Sequence, residues 1–464
     1  MSETPREQCG IFGIYNHPEA AKIVYLGLYA LQHRGQESAG IVSSDGDRLY
    51  AHKGLGLVAD VFDKNSLDSL LGKSAIGHVR YSTTGSNVIT NSQPIKINYK
   101  GGELAVAHNG NITNSEELKL ELEERGAIFS STMDSEILIH LIAQSTAKSF
   151  IDSLTTSLFR LKGAYSFLIM RKDRVIGIRD PKGFRPLCLG KYNDAYLLAS
   201  ETCAFDIIGA QHIREVEPGE IIIISDSGIE SIKPFAPTET SFCVFEYIYY
   251  SRPDSLVGNT NVHNIRTALG AKLAEEQPAN ADIVIPVPDS SNAAAIGYSR
   301  KSGIPFEMGL IRSHYVGRTF IEPEQSIRHF GARIKYNPIK SVLTGKRVVV
   351  VDDSIVRGTT SPKIVKMIKN AGAKEVHLRI SSPPWKFPCY FGIDTPSKME
   401  LIGSTHSIEE ICKHSGADSL GYLSIQGLKE VIPGFQSYCF ACFDGEYPGG
   451  KPKKLFKEIL EQKY

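Results

Sequence analysis

Two adjacent carboxylates, Asp352 and Asp353, directly follow an apolar run of four valines at positions 348–351. The next residues form a short loop rich in groups that could bind a phosphate, namely Ser354, Arg357, Gly358, Thr359 and Thr360. Backbone N–H groups and hydroxyls in such a loop bind phosphate, while carboxylates at a strand end hold sugar hydroxyls or Mg²⁺. The pattern therefore predicts a binding site for a phosphorylated sugar.

The elements around this loop support the interpretation. Four consecutive valines are typical of a strand buried on both faces of a parallel sheet, and Pro362 begins a helical pattern that closes at Gly372. A Walker B strand also ends in acids, but it requires a Gly-x4-Gly-Lys-Ser/Thr loop elsewhere. The nearest match, at 72–74, has Leu67 in place of the first glycine. The segment resembles the signature of phosphoribosyltransferases that use phosphoribosyl pyrophosphate (PRPP).

A second candidate for chemistry is Cys9, which opens a short apolar strand after the polar segment 1–8. If residues 1–8 are a propeptide that is removed, Cys9 carries both a thiol and a free α-amine. The unperturbed pKa of that amine, about 7.7–8.0, suits a general base near neutrality. One residue would then supply nucleophile and base, as in N-terminal nucleophile hydrolases. The alternative is a buried structural thiol.

Four further residues fit a glutamine site around Cys9. Arg80 offers a planar fork to an α-carboxylate, and Asp134 can accept hydrogen bonds from an α-ammonium. The side chain of Asn109 and the backbone N–H of Gly110 can form an oxyanion hole. Residues 9 to about 235 resemble the class II glutamine amidotransferase domain. The resemblance implies an N-terminal nucleophile (Ntn) αββα fold with these residues in those roles.

A chain of 464 residues predicts two or three domains. Residues 234–240 contain two prolines and no apolar periodicity, so we expect a linker there. Strands predicted at 283–287, 304–311, 348–351 and 375–380 alternate with helices in residues 241–464. This alternation predicts an α/β fold with a doubly wound parallel sheet, as in type I phosphoribosyltransferases. Ser290 follows the first of these strands and is expected to contact pyrophosphate or Mg²⁺.

A long cationic segment, 312–338, lacks clear periodicity. Loops of that length in compact domains are usually functional. We expect a lid that places Arg318 and Lys335 on the pyrophosphate of PRPP.

Taken together, these segments resemble the glutamine phosphoribosylpyrophosphate amidotransferase family over nearly the whole chain. The resemblance implies that ammonia released from glutamine at Cys9 is channelled to C1 of PRPP. The products would be 5-phosphoribosylamine, glutamate and pyrophosphate, in the first committed step of purine (IMP) biosynthesis. It also implies inhibition by purine nucleotides of the AMP, GMP, ADP and GDP type, and a homotetramer.

Two other functions fit parts of the chain. A glutamine-dependent sugar-phosphate aminotransferase would share residues 9–235 but would not need the PRPP signature. A non-catalytic purine-sensing regulator built on a phosphoribosyltransferase fold would have no use for Cys9, Arg80, Asn109 and Asp134.

The cysteines include a Cys-x2-Cys pair, Cys439 and Cys442, near the carboxyl end. Cysteine ligation alone does not separate structural zinc from an iron–sulfur cluster. The resemblance extends to the iron–sulfur branch of the family, which also carries a propeptide. It implies that this pair holds a [4Fe-4S] cluster together with Cys243 and Cys389.

Composition argues against other classes of partner. The net charge is +1 and no run of about 18 apolar residues occurs, so neither a nucleic acid nor a membrane is expected to bind. Residues 1–8 have no apolar core and do not form a secretory signal. We expect a cytoplasmic protein.

Overall fold

The structure is a computed structural model that describes residues 9–81, 86–312, 336–393, 395 and 397–451. The predicted propeptide (1–8) and the lid residues Arg318 and Lys335 lie outside the described residues. In the part that is described, no helix is both long and apolar enough to cross a lipid bilayer.

The amino-terminal half contains thirteen strands, which are β1 (Gly10–Tyr15), β2 (Ser38–Ser44), β3 (Leu49–Leu55), β4 (Ser74–Arg80), β5 (Ile95–Tyr99), β6 (Gly102–Ile112), β7 (Gly163–Arg171), β8 (Arg174–Arg179), β9 (Cys188–Tyr192), β10 (Ala195–Ala199), β11 (Gln211–Glu215), β12 (Ile221–Ser225) and β13 (Gly228–Ile232). They form two antiparallel sheets, a seven-stranded one ordered β11-β9-β10-β1-β4-β2-β3 and a six-stranded one ordered β13-β12-β8-β7-β6-β5. Its helices are α1 (Ala20–Ala30), α2 (Val58–Val61), α3 (Lys64–Asp68), α4 (Ser115–Glu124), α5 (Ser135–Gln144), α6 (Phe150–Leu158) and α7 (Cys203–Asp206).

The two sheets pack face to face with helices outside. Ile76 of the first sheet and Leu168 of the second belong to one fully buried core between them. Leu28 of α1 packs on the outer face of the first sheet, and Leu138 and Leu154 of α5 and α6 pack on the second. Each sheet is therefore covered on both faces, and the predicted αββα arrangement is confirmed.

Residues 233–241, which include the predicted linker, form neither helix nor strand. Beyond them lie β14 (Phe242–Cys243), a π-helical turn (Glu246–Tyr250), β15 (Leu256–Val257), β16 (Thr260–Asn261), α8 (Val262–Glu276), β17 (Ile283–Pro286), α9 (Asn292–Ser302), β18 (Leu310–Arg312), β19 (Tyr336–Pro338), α10 (Lys340–Leu343), β20 (Arg347–Asp352), α11 (Ser361–Asn370), β21 (Glu375–Ile380), α12 (Ile402–Thr405), α13 (Ile408–Ser415), β22 (Ser419–Tyr422), α14 (Ile425–Val431), β23 (Tyr438–Cys439) and α15 (Ala441–Asp444).

The central sheet of this half is parallel and ordered β17-β20-β21-β22. The valines of β20 alternate between two cores: Val349 packs with the side of the sheet that α8 and α9 cover, and Val348 packs with α11 on the other side. Burial on both faces explains why the strand reads as a continuous apolar run. The predicted doubly wound parallel sheet is confirmed.

Two details of this sheet differ from the prediction. The segment 304–311 is not a full strand, since only Phe306 forms a bridge to Val284, and β18 pairs with β19 outside the sheet. Two residues of this segment limit its pairing with β17, because Pro305 has no N–H to donate and Gly309 weakens a strand interior. The fourth strand, β22, was missed because four residues that include a serine and a glycine carry no strand signal.

Candidate active site

Cys9 lies at the start of β1 and is buried. Because Gly10 pairs with Val79 of β4, Cys9 sits beside Arg80, the last residue of that strand. Its Sγ lies 3.5 Å from the carbonyl oxygen of Tyr81. Burial raises the pKa of the Cys9 thiol to about 11, against smaller lowering effects from the Tyr81 backbone and the charge of Arg80. With the amino-terminal segment attached, this thiol is protonated at neutral pH.

Arg80 and Asp134 place opposite charges next to that thiol. Both side chains are buried, and both act electrostatically on Cys9. Arg80 Nη1 donates to the carbonyl oxygen of Ser86 at 3.1 Å. Asp134 Oδ2 accepts the N–H of Ile112 at 2.8 Å. Such a pair matches the charges on the two α-substituents of an amino acid.

The ionised form of Asp134 is favoured despite its burial. Burial alone would raise its pKa, but His108, whose Nδ1 lies 3.5 Å from Oδ1, and the Ile112 N–H hold the pKa of Asp134 below its usual value. The Asp134 carboxylate is therefore charged at neutral pH and can pair with a cationic group.

Asn109 is fully buried on β6, and neither its Nδ2 nor its Oδ1 has a hydrogen-bond partner among the described residues. Burying an unpaired polar atom costs about 1–3 kcal/mol, so such groups call for an explanation. The next residue, Gly110, has a φ of +149°, and a Cβ there would lie 2.1 Å from the carbonyl oxygen of Ala164. Only glycine fits, and the unpaired amide is available to a ligand.

Two other histidines near this site, His78 and His33, are held by contacts with the surrounding protein. His78 Nε2 lies 3.0 Å from the carbonyl oxygen of His108, which ties β4 of one sheet to β6 of the other. Burial lowers the pKa of His78 to about 3, so the ring is neutral. His33 Nε2 lies 2.7 Å from Glu201.

The acidic pair lies where the sequence predicts it. Asp352 is the last residue of β20, and Asp353 follows it into the loop before α11. Asp352 Oδ1 accepts the N–H of Asp353 at 2.9 Å and the hydroxyl of Ser291 at 3.3 Å. Ser354 donates its hydroxyl to Asp353 at 2.6 Å. Since β17 and β20 are parallel neighbours, the loops after them meet at one edge of the sheet.

Side chains from residues 400–414 support the loop that follows the acidic pair. Gly358 has a φ of +73°, and a Cβ there would lie 2.4 Å from the Ile402 side chain. The carbonyl oxygen of Gly358 lies 3.0 Å from Nε2 of His414 on α13. Arg357 Nε lies 3.3 Å from Glu400. Thr359 is exposed at the loop tip.

One cavity of about 810 Å³ joins the two halves of the protein. From the amino-terminal half it is lined by His33, Gln36, Glu37, Tyr81 and Asn87. From the other half it is lined by most of the predicted phosphosugar residues, namely Ser290, Asp352, Asp353, Ser354, Gly358 and Thr360. The cavity therefore runs from Tyr81, whose carbonyl oxygen contacts Cys9, to the acidic pair.

Sequence reasoning missed Arg266, which lies in the wall of this cavity and is 3% exposed. Its Nε donates to the carbonyl oxygen of Tyr247 at 2.7 Å and its Nη2 to that of Ser251 at 2.8 Å. Burial lowers the pKa of Arg266 to about 10, although Asp353 opposes the shift. The signal was present, because Arg266 interrupts an apolar stripe through Val262 and Leu269 on α8.

The seam between the halves also contains buried charges that the sequence did not predict. Arg34 pairs with Glu246 at 2.8 Å and with Glu201, and its Nε donates to the carbonyl oxygen of Cys9 at 3.3 Å. Arg185 lies 3.5 Å from the same Glu246. These contacts link Cys9 to the π-helical turn near the start of the second half.

The four cysteines predicted to act together also meet at this seam. Cys243 and Cys439 are directly paired between β14 and β23, and Cys442 follows on α15. Cys389 acts electrostatically on each of these three thiols, Cys243 acts on Cys439 and Cys442, and Cys439 acts on Cys442. Burial raises the pKa of Cys243 to about 12, against the lowering effect of Arg185. The N–H of Phe391 donates to Cys389 Sγ at 3.3 Å.

This donor set fits a sulfur-ligated metal group, since thiols are the ligands of both tetrahedral zinc and iron–sulfur clusters. In the ranges that the structure describes, no three His, Cys, Asp or Glu side chains are grouped tightly enough to hold a metal ion.

Family models match both halves of the chain. Residues 78–206 match a glutamine amidotransferase domain, and residues 258–381 match a phosphoribosyl transferase domain.

Curated relatives match nearly the whole chain. The amidophosphoribosyltransferase of Bacillus subtilis is 52% identical over 450 residues, which are 95% of this chain and 94% of the relative. Amidophosphoribosyltransferase 1 of Arabidopsis thaliana, a chloroplastic protein, is 51% identical over 449 residues, covering 96% of this chain and 79% of the relative.

Two solved structures superpose on the chain closely. One, described as the allosteric regulatory enzyme of purine biosynthesis, has a TM-score of 0.91 at 52% identity, covering 95% of this chain and 96% of the other. The other is the glutamine PRPP amidotransferase of B. subtilis complexed with ADP and GMP, with a TM-score of 0.90 at 51% identity, covering 95% of this chain and 97% of the other.

Proposed function

The chain belongs to the amidophosphoribosyltransferase family, and from that premise we propose how its residues divide the reaction between two sites. The enzyme is a glutamine-dependent transferase, and it catalyses the first step of purine biosynthesis. We place the glutamine site in residues 9–235 and the PRPP site in residues 241–464. The observation that carries this division is the single cavity lined by Tyr81, beside Cys9, and by Asp352 and Asp353.

At the first site, removal of residues 1–8 leaves Cys9 with a free α-amine that accepts the thiol proton. The Cys9 sulfur attacks the glutamine amide carbon, and the C–N bond breaks to release ammonia and leave a thioester. Arg80 binds the substrate α-carboxylate, and Asp134 accepts from its ammonium. The amide of Asn109 and the N–H of Gly110 stabilise the tetrahedral oxyanion, a contribution of roughly 3–4 kcal/mol for one such donor. Water then hydrolyses the thioester to glutamate.

At the second site, Asp352 and Asp353 hold the ribose hydroxyls of PRPP. Residues 354–360 bind its 5′-phosphate through backbone N–H groups and hydroxyls. Ammonia crosses the shared cavity and attacks C1, and the C1–O bond to pyrophosphate breaks. Arg318 and Lys335 of the segment 312–338 bind the leaving pyrophosphate.

The acidic pair and Ser290 suit Mg²⁺, because carboxylate and hydroxyl oxygens are the ligands of this hard cation. Bound there with PRPP, Mg²⁺ would neutralise charge on the departing pyrophosphate.

The cysteines Cys243, Cys389, Cys439 and Cys442 would hold a [4Fe-4S] cluster with a structural or oxygen-sensing role. Their proximity to one another at the seam between the two halves supports that role. Iron and acid-labile sulfide should be found in protein purified anaerobically. Stoichiometric zinc without sulfide would replace this assignment by a structural zinc site.

We assign purine nucleotides of the AMP, GMP, ADP and GDP type as inhibitors. Their 5′-phosphate resembles that of PRPP and would compete at residues 354–360, and a 51% identical solved relative was complexed with ADP and GMP. A homotetramer in the cytoplasm completes the proposal. Sedimentation of the purified enzyme tests the assembly.

The deciding experiment replaces the nucleophile. Cys9→Ala should abolish glutamine-dependent formation of phosphoribosylamine while ammonia-dependent formation continues, because the second site is intact. Loss of both activities in a folded variant would refute the two-site division.

A further inference from the structure

The segment 390–392 of the carboxyl-terminal half packs directly against the end of strand β6. That strand carries Asn109 and Gly110, the proposed oxyanion hole. The segment follows Cys389, one of the four clustered cysteines. Two independent contacts join it to β6.

The first contact is a hydrogen bond. Nδ2 of Asn111, the residue after Gly110, donates to the carbonyl oxygen of Tyr390 at 3.0 Å. Asn111 is 7% exposed, so this bond crosses a dry interface between the two halves.

The second contact is a close approach of two backbones. A Cβ added to Gly392 would lie 3.0 Å from the carbonyl carbon and 3.1 Å from the Cα of Gly110. Gly392 also has a φ of +103°, a conformation that other L-residues rarely adopt. Nothing larger than glycine fits between the segment and the peptide of Gly110.

The segment is fixed from its other side. The carbonyl oxygen of Phe391 accepts hydrogen bonds from Nε of Arg185 at 2.9 Å and from its Nη2. The Phe391 ring stacks on Phe184, with ring centroids 4.1 Å apart and planes 18° apart. Arg185 is fully buried and lies 3.5 Å from Glu246. Residues 390–392 are therefore held in place by Arg185 and Phe184 while they contact β6.

From this geometry we infer that residues 390–392 position the oxyanion hole, with Asn111 and Gly392 as the positioning residues. The side chain of Asn109 makes no hydrogen bond within the described chain, so the backbone of β6 sets where its amide points. That backbone is held by its pairing with β7 and, through Asn111 and Gly110, by the other half of the molecule. The inference rests on the proposed roles of Asn109 and Gly110.

A shift of about 1 Å in a positioning group can cost roughly 100-fold in rate. We therefore expect Asn111→Ala and Gly392→Ala each to lower kcat for glutamine hydrolysis by about 10- to 100-fold. The KM for glutamine should stay within about twofold, because Arg80 and Asp134 still hold the substrate. Ammonia-dependent transfer should be unchanged, which also shows that the variants fold.

A second readout separates positioning from general damage. An aldehyde analogue of glutamine adds reversibly to Cys9 and places its oxygen in the oxyanion hole. Its affinity should fall in the same proportion as kcat, whereas the affinity for glutamate should not change.

Two matched controls are available. Asn114→Ala removes a comparable amide-to-carbonyl bond, to Arg160 at 2.9 Å, three residues further along. Gly126→Ala alters a glycine with a φ of +84° that has no atom within 4 Å of its added Cβ. Both should behave as wild type.

The outcomes are distinguishable. Wild-type kcat in both Asn111→Ala and Gly392→Ala, while Asn109→Ala loses activity, would overturn this inference and leave the proposed site intact. If Asn109→Ala also kept full activity, the proposed oxyanion hole itself would be wrong. A rise in KM with no fall in kcat would equally contradict a positioning role.

Discussion

Arg34 and Glu246 form an ion pair across the seam of the protein, with Nη2 and Oε1 separated by 2.8 Å and both side chains at most 1% exposed. The pair joins a turn next to the nucleophile strand to the first turn of the carboxyl-terminal half. Because Glu246 also accepts from Ser251 at 2.7 Å and lies near Arg185, its carboxylate is the shared partner of two buried cations.

Removing this carboxylate should destabilise the protein strongly. Breaking one partner of a buried pair leaves an uncompensated charge, which typically costs 3–5 kcal/mol. We expect Glu246→Gln to lower the free energy of unfolding in urea by about 3 kcal/mol or more. Glu19→Gln, which breaks an exposed pair with Lys22 at 3.0 Å, should cost less than about 1 kcal/mol. Similar small losses in both variants would show that the seam pair contributes little.

The reactivity of Cys9 should depend on pH and on processing. With residues 1–8 attached, the pKa of the thiol is raised to about 11, so the thiolate fraction and the alkylation rate should increase about tenfold per pH unit between 7 and 10. Once the segment is removed, the new α-amine lies beside the thiol and alkylation near pH 7.5 should be faster. Mass spectrometry of the peptide that contains Cys9 measures both rates. A flat profile in the unprocessed chain would contradict the burial effect.

The acidic pair should matter for transfer and not for glutamine binding. Asp353→Asn should raise the KM for PRPP or lower kcat by at least about 10-fold with either glutamine or ammonia as nitrogen donor, because the ribose and Mg²⁺ lose a ligand. Asp282→Asn is the matched control, since Asp282 pairs with Arg347 at 2.9 Å at the opposite edge of the same sheet. Equal kinetic constants in the two variants would show that Asp353 is not part of the PRPP site.

His414 should influence PRPP through the loop that it supports. Its Nε2 lies 3.0 Å from the carbonyl oxygen of Gly358, and we expect His414→Ala to raise the KM for PRPP by about three- to tenfold. His414→Gln, which keeps an N–H donor, should recover part of that loss. His406→Ala, at an exposed histidine before α13, should have no effect. An unchanged KM in His414→Ala would show that the loop holds its shape without this bond.

Local patterns predicted the parts of the site that are local in the chain. The strand of four valines, Asp352 and Asp353, and the following helix are contiguous, so their geometry follows from periodicity and helix-start signals. Cys9, Arg80 and Asn109 were also predicted as site residues, and the antiparallel register of β1 and β4 brings the first two together.

What the sequence could not predict depends on how the halves pack. In the sequence, Glu246 is one acidic residue in an aromatic segment. No local pattern indicates that it pairs with Arg34, which is 212 positions away. The hydrogen bond from Asn111 to Tyr390 spans 279 positions, and no local sequence pattern predicts it either. The weak strand β22 was missed for a different reason, since the sheet beside it, and not its own four residues, determines its conformation.

The pairing of Cys243 with Cys439 has a consequence for biosynthesis of the chain. During translation, Cys243 is synthesised soon after the amino-terminal half and long before Cys439 and Cys442. Domains generally fold as units in the order in which they are translated, so both sheets around Cys9 can assemble while the four-thiol site still lacks two of its members. A metal or cluster held by all four thiols can therefore bind only once the chain is essentially complete, after the first half has had time to fold.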